Sequence, residues 1–159
     1  MQSADAKQGD IFKTLKHKVN RSTTATTVEN NILVAPNGKS IAFERGSGKL
    51  ITASISAKGM ISNEKTLLDG WASPDAISWS PDSKWLAYGL SDLNFNDEIF
   101  IHKADNSIAP INISMHPKAD YNPVWSADGS KLAFSSDRSN GDHDIWFLWL
   151  KKCVLKFLN

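Results

Sequence analysis

"VWSADGSKLAFSSD" (124–137) and "SWSPDSKWLAYGLSD" (78–92) are two versions of one phrase: Trp-Ser, a turn, then an apolar strand. A third version, "APNGKSIAF" (35–43), aligns without gaps to "SPDSKWLAY" (80–88) and "SADGSKLAF" (126–134). The three starts lie 45 and 46 residues apart, and an apolar word, "ILV", "ISW" or "PVW", precedes each. A fixed period of this length marks one supersecondary unit repeated along the chain.

The chemistry of the phrase dictates a hairpin. Asn37, Asp82 and Asp128 share one position and are followed by Gly38, Ser83 and Gly129. An Asp or Asn side chain accepts from the backbone just ahead of it, Pro36 and Pro81 fix φ near −65°, and Gly tolerates positive φ. The returning strand carries large, small, large residues: Ile41-Ala42-Phe43, Leu86-Ala87-Tyr88 and Leu132-Ala133-Phe134. Apolar residues on both faces of a strand require both faces to be covered.

A third strand is expected at "KLITASI" (49–55), "EIFIHKA" (98–104) and "DIWFLWL" (144–150). Polar loops at 44–48, 89–97 and 135–143 lead into it, and less regular fourth strands are expected at 66–69 and 110–114. Four short antiparallel strands in about 45 residues are the size of one β-propeller blade, which cannot bury its own faces and so must repeat. The expected fold is therefore all-β, a partial β-propeller of about three four-stranded antiparallel blades. Blade 1 is expected over 28–72, blade 2 over 73–118 and an incomplete blade 3 over 119–152, with an N-terminal extension at 1–27 and a tail at 153–159. Propellers typically have four to eight blades. Three imply a piece of a larger propeller, or a chain that associates to cover two open blade faces.

Composition agrees with a folded chain. Of 159 residues 41% are apolar and 22% charged, and 18 Lys and Arg nearly balance 17 Asp and Glu. A net charge of +1 supplies no global field for nucleic acid or an anionic membrane. Cys153 is the only cysteine, so the chain forms no internal disulfide and no cysteine-based zinc cluster. "MQSADAKQGDIFKTLKHKVN" (1–20) lacks the apolar core of a secretory signal, and no window has the length of an apolar membrane span.

Trp79-Ser80-Pro81-Asp82, Trp125-Ser126-Ala127-Asp128-Gly129 and the corners Ser91-Asp92 and Ser136-Asp137 resemble the TolB-type propeller repeat. The first unit departs from it at Val34-Ala35 and Glu44-Arg45. Loops included, residues 28–150 are most similar to the N-terminal propeller of bacterial tricorn-like serine peptidases, and the ending "CVLKFLN" is not. That resemblance implies a non-catalytic propeller that steers peptides toward a separate peptidase domain, with a periplasmic location by analogy. A TolB-like interaction module of the cell envelope, without any peptidase, is the alternative it implies.

Other chemistries fit poorly. "GLSDL" (89–93) fails the nucleophile-elbow pattern at its last position, and "GSGK" (46–49) lacks the first glycine and the hydroxyl residue of a phosphate loop. "DLNFND" (92–97) begins like a calcium loop but has Asp97 for the Gly and Lys103 for the closing Glu, and "DRSNGDHD" (137–144) places Leu148 at the twelfth position. His17, His102, His116 and His143 lack ligand spacing. Trp79, Trp85 and Trp125 fall on repeat positions and are expected in the core, whereas Trp71, Trp146 and Trp149 are free to line a surface. The apolar run 145–158 is expected to form a blade edge that aggregates or pairs. No catalytic residue, cofactor or metal is expected. The candidate binding residues are those of the blade loops: Arg45, Asp92, Asn94, Asn96, Asp137, Arg138, Asp142 and His143. The expected partner is a peptide or protein, or the remaining blades and peptidase domain of a parent protein.

Overall fold

The computed structural model describes residues 19–150. The tail expected at 153–159, with Cys153, and most of the extension expected at 1–27, with His17, lie outside the described residues. Within them every regular element is a strand, in three antiparallel sheets. Sheet 1 is β1 (Glu29–Val34), β2 (Ser40–Arg45), β3 (Lys49–Ile55) and β4 (Ile61–Asp69), in chain order. Sheet 2 is β5 (Asp75–Trp79), β6 (Trp85–Ser91), β7 (Asp97–Lys103) and β8 (Ile111–Asn112), again in order. Sheet 3 has β9 (Asp120–Trp125), β10 (Lys131–Ser139) and β11 (Asp142–Trp149), with β10 in the middle.

The repeated phrase closes each first hairpin as its chemistry requires. The amides of Ala35, Ser80 and Ser126 donate to the carbonyls of Ser40, Trp85 and Lys131, at 2.9 Å in each case. Inside the turn Asp82 Oδ1 accepts from Lys84 N and from Ser80 Oγ, and Asp128 Oδ1 accepts from Ser130 N and Ser126 Oγ. Asn37 does the same work in the first unit, accepting from the amides of Lys39 and Ser40. Ser83, at φ 61°, takes the left-handed conformation that Gly38 and Gly129 take in the other units.

Each sheet is sealed by its neighbour. Ala42, Leu50 and Leu67 of sheet 1 pack on Ile77, Leu86 and Tyr88 of sheet 2. Trp85, Ala87, Ile99 and Ile101, on the opposite face of sheet 2, pack on Leu132 and Phe134 of sheet 3. The small Ala at the centre of β2 and β6 is fully buried and lets the sheets approach. The repeated Trp adds a polar stitch: Trp79 Nε1 donates to Leu33 O of the preceding sheet, and Trp125 Nε1 to Ser78 O, both at 3.3 Å. Trp85 lies in the core, whereas Trp79 and Trp125 are half-buried at the seams. Val34, at the corresponding position of unit 1, has no described sheet before it and is exposed.

Two expectations need correction. The sequence suggests an open loop at 135–143, but β10 continues to Ser139 and β11 begins at Asp142, leaving Asn140-Gly141 as the turn. Both turn residues have positive φ, 53° and 81°, as a two-residue hairpin turn of Asn-Gly type demands. The second concerns the two ends of the stack. The centre of the sheet 1 face away from sheet 2 is buried, with Ile41, Phe43 and Ile51 at most 3% exposed and the Arg45 guanidinium 5.3 Å over the Phe43 ring. Among the described residues the far face of sheet 3 is much the more open, because Val124, Ile145, Phe147 and Trp149 are all exposed, against Val34 alone on the far face of sheet 1.

Candidate functional site

The antiparallel order places the β2–β3, β6–β7 and β10–β11 connections at one end of all three sheets, together with the crossovers at 70–74 and 113–119. All the sequence-predicted binding residues fall at this loop end, but they do not form one site. Arg45 is committed to Glu64, bonded through both terminal nitrogens at 2.8 and 2.9 Å, and to Glu29 at 2.8 Å. These carboxylates raise its pKa further, Glu64 contributing most, and Arg45 in turn holds the Glu64 carboxyl below its usual range. Arg138 is equally occupied. It donates to Asp120 Oδ2 and Ser136 Oγ, each at 2.8 Å, with its guanidinium 5.1 Å from the Phe134 ring and 5.2 Å from the Trp146 ring. Asp137 contacts His143 Nδ1 at 2.8 Å, and His143 lies against Tyr121 with ring centres 5.8 Å apart. Asp142 opens β11 and is exposed. These four residues stand on strand ends, not on an open loop.

Asp92, Asn94 and Asn96 do form a unit, and it is a scaffold. Asp92 Oδ1 accepts from the amides of Asn94 (2.7 Å) and Asn96 (3.0 Å), which lowers its pKa, the Asn96 amide contributing most. The Asp92 and Asn96 main chains close the loop at 2.9 Å. Asn96 Nδ2 then reaches Glu98 Oε1 at 3.1 Å and the carbonyl of His116 at 2.9 Å, tying the β6–β7 loop to the 113–119 crossover. Ser91 and Asp97 hydrogen-bond across the base of the loop, and Ser114 bonds Glu98 beside it.

What this scaffold holds up is apolar. Leu93 is 83% and Phe95 79% exposed at the loop tip. Trp71, 57% exposed on the 70–74 crossover, meets Phe95 edge to face with ring centres 5.7 Å apart. Met115, on the crossover that Asn96 anchors, is 77% exposed. Phe95 and Met115 both have positive φ, 60° and 42°, a conformation that bulky side chains adopt only at a cost of about 1–3 kcal/mol. The contact with Trp71 is all that folding gains from an exposed aromatic held in this way. Trp71 is one of the tryptophans the sequence leaves free for a surface, but Leu93, Phe95 and Met115 carry no repeat signal. The loop's Asp-x-Asn pattern was their nearest sequence cue.

Among the described residues no cluster of three or more His, Cys, Asp or Glu side chains is arranged to hold a metal ion, and no helix is long and apolar enough to cross a membrane. His102 is buried at the seam of sheets 1 and 2, bonded to Tyr88 and Asn106.

No protein-family model matches the chain, and no curated protein matches it by sequence. Solved structures do match by shape. An Agrobacterium tumefaciens protein assigned to TolB superposes with a TM-score of 0.57 at 22% identity, over 73% of this chain and 43% of its own. A tricorn protease gives a TM-score of 0.57 at 17% identity over 76% of this chain, but only 14% of the protease. A eukaryotic initiation factor gives 0.51 at 15% identity, over 87% of this chain and 33% of the factor. The chain thus spans less than half the length of each structure it resembles. What it has in common with the TolB-assigned protein and the protease, at these identities, is the architecture, consecutive antiparallel blades of a β-propeller; in the described residues of this chain the blades are not closed into a ring.

Proposed function

We propose that this chain is a non-catalytic β-propeller segment that binds a peptide or protein partner through its loop end, with Trp71, Leu93, Phe95 and Met115 as the contact surface. One observation carries the reading: a hydrogen-bonded loop holds Phe95 in a left-handed conformation and 79% exposed, against a second exposed aromatic. Rigid aromatic anchors surrounded by polar groups are the usual hot spots of protein recognition. A preformed loop also avoids the ordering cost that weakens flexible surfaces. Asp92, Asn94 and Asn96 act here as positioning residues that fix the apolar tip. Arg45 and Arg138 hold the sheets and leave the contact to others.

The TolB-assigned and tricorn structures support two versions of this role. In the first, the segment steers extended peptides toward a peptidase domain of a parent protein. In the second, it docks folded proteins and no peptidase is involved. Panning a random-peptide phage library on the 159-residue chain separates them. Under the first version enriched peptides bind the wild type and lose binding to a Leu93→Ser/Phe95→Asn variant. Enriched peptides that bind both proteins equally would overturn the assignment of the surface, and no enrichment would remove the peptide-steering version.

A further inference from the structure

The open face of sheet 3 is the other large apolar feature of the molecule. Lys131 pairs with Trp149, Ala133 with Phe147 and Ser135 with Ile145, so these side chains share the face turned away from sheet 2, and Val124 joins them opposite Ala133. Val124, Ile145, Phe147 and Trp149 are 59–75% exposed. They amount to on the order of 500 Å² of contiguous surface, the size of the largest apolar patch of a typical monomer, which is often an interaction site.

The face is also polar along its length. At the turn end the Lys131 ammonium lies 4.4 Å over the Trp149 ring. At the loop end stand Asp137, in contact with His143, and Tyr121, which rests on that histidine. The apolar strip lies between. On the far face of sheet 1, Ile41, Phe43 and Ile51 are at most 3% exposed and only Val34, opposite Ile41, is open, so a head-to-tail contact of sheet 3 on the sheet 1 of another copy has little apolar surface to use. A contact that uses the open face twice has more.

We propose that the open face of sheet 3 pairs with the same face of a second copy about a two-fold axis that lies between the two sheets, parallel to them and perpendicular to the strands. Such an axis runs the two β10 strands antiparallel and sets Lys131 of each copy opposite Asp137 of the other. Midway between these positions on β10 is residue 134, beside Ala133 and Phe147, so the axis passes through the centre of the apolar strip. The pairing buries on the order of 1,000 Å², the lower bound for a specific interface, with the isologous symmetry usual in dimers. It therefore forms a reversible dimer, and it leaves the loop-end surface free.

Sedimentation velocity on the full chain, from low to high micromolar concentration, tests the pairing. The wild type is expected to move from 17.5 kDa toward twice that mass, and Phe147→Glu to remain a monomer with an unchanged β-sheet circular dichroism spectrum. Lys131→Glu and Asp137→Lys each place like charges together twice per dimer and are expected to weaken it about tenfold or more. The combined Lys131→Glu/Asp137→Lys protein restores opposite charges and is expected to return within about threefold of wild type. A monomer at every concentration, an open-ended series of larger species, or a double reversal no tighter than the single ones would each refute it.

Discussion

Lowering the pH from 7.5 to 5.5 is expected to loosen the seam between sheets 1 and 2 through one side chain, His102. Its ring is fully buried, with Nδ1 3.2 Å from Tyr88 Oη and Nε2 3.0 Å from Asn106 Oδ1. Asn106 Nδ2 donates to Thr66 O at 2.9 Å, so Asn106 Oδ1 is an acceptor and must receive the proton of Nε2. Nδ1 is then bare and accepts from the Tyr88 hydroxyl. The chain of bonds runs in one direction, from Tyr88 on β6 through His102 on β7 to Thr66 on β4, and it requires a neutral imidazole. Burial pushes the His102 pKa down and the Tyr88 pKa up, both favouring the neutral forms.

The sign follows. An unfolded histidine takes up a proton below about pH 6.5, while the folded one stays neutral to a lower pH, so the unfolded state binds more protons and stability falls as the pH drops. Full stability is present above about pH 6.5, and up to about 1 kcal/mol is lost between pH 6.5 and 5.5, lowering Tm by at most about 2–4 °C for a domain of this size. Urea melts followed by tryptophan fluorescence at several pH values measure the slope, and His102→Gln, which keeps a donor for Asn106, should flatten it. The carboxylates held low, Glu64, Asp92 and Asp128 among them, titrate at lower pH and do not imitate the effect. If the glutamine variant keeps the wild-type slope, or if acidification raises the midpoint, the proton chain is wrong.

Three further substitutions probe separate parts of the fold. Gly48 has φ 75°, and a Cβ there would lie 2.0 Å from the carbonyl oxygen of Gly70, so Gly48→Ala should cost about 3 kcal/mol or more in urea unfolding. Gly46→Ala, at φ 65° with open space around it, should cost about 1 kcal/mol. Arg138→Met strands the Asp120 carboxylate, which is fully buried and already has one oxygen without a partner, and should destabilise by about 3–5 kcal/mol. Adding Asp120→Asn should recover more than half of that loss, and a purely additive double variant would argue against the pair. Phe95→Asn, which suits the left-handed conformation, should leave Tm unchanged or raise it slightly while removing partner binding. A clear drop in Tm would show that Phe95 serves folding after all.

The parts of this fold that were legible in the sequence are those where one residue's chemistry acts on its own neighbours. Ser80, Asp82 and Lys84 satisfy one another within five residues, and the same is true of Ser126, Asp128 and Ser130. A turn of that kind is therefore written out wherever it occurs, and the spacing of its copies fixes the blade. The large-small-large strand is legible for a related reason, since an Ala flanked by bulky residues makes sense only between two covered faces. The polar run Ser135-Ser136-Asp137-Arg138 misleads because its reason lies elsewhere: Ser136 is buried to receive Arg138, and Arg138 folds back on Asp120, eighteen residues earlier on β9. The Asn140-Gly141 pair was the local sign that the strands continue.

The candidate surface was the least legible part, and the cause is physical. Core residues repeat because every blade must bury the same face, so the period exposes them. A residue that serves an outside partner is under no such constraint and appears in one blade only, as Leu93 and Phe95 do on the β6–β7 loop. The corresponding connections are Gly46-Ser47-Gly48 in sheet 1 and Asn140-Gly141 in sheet 3, neither with an apolar tip. Departure from the repeat is thus informative in its own right. Val34 replaces the seam tryptophan where no described sheet stands before it to accept its bond, whereas Phe95 adds bulk where the backbone resists it. The first departure is a lost internal contact. The second is a cost of about 1–3 kcal/mol against which the chain sets only the exposed edge-to-face contact with Trp71, and a surface outside the chain is where the rest of the return is to be sought.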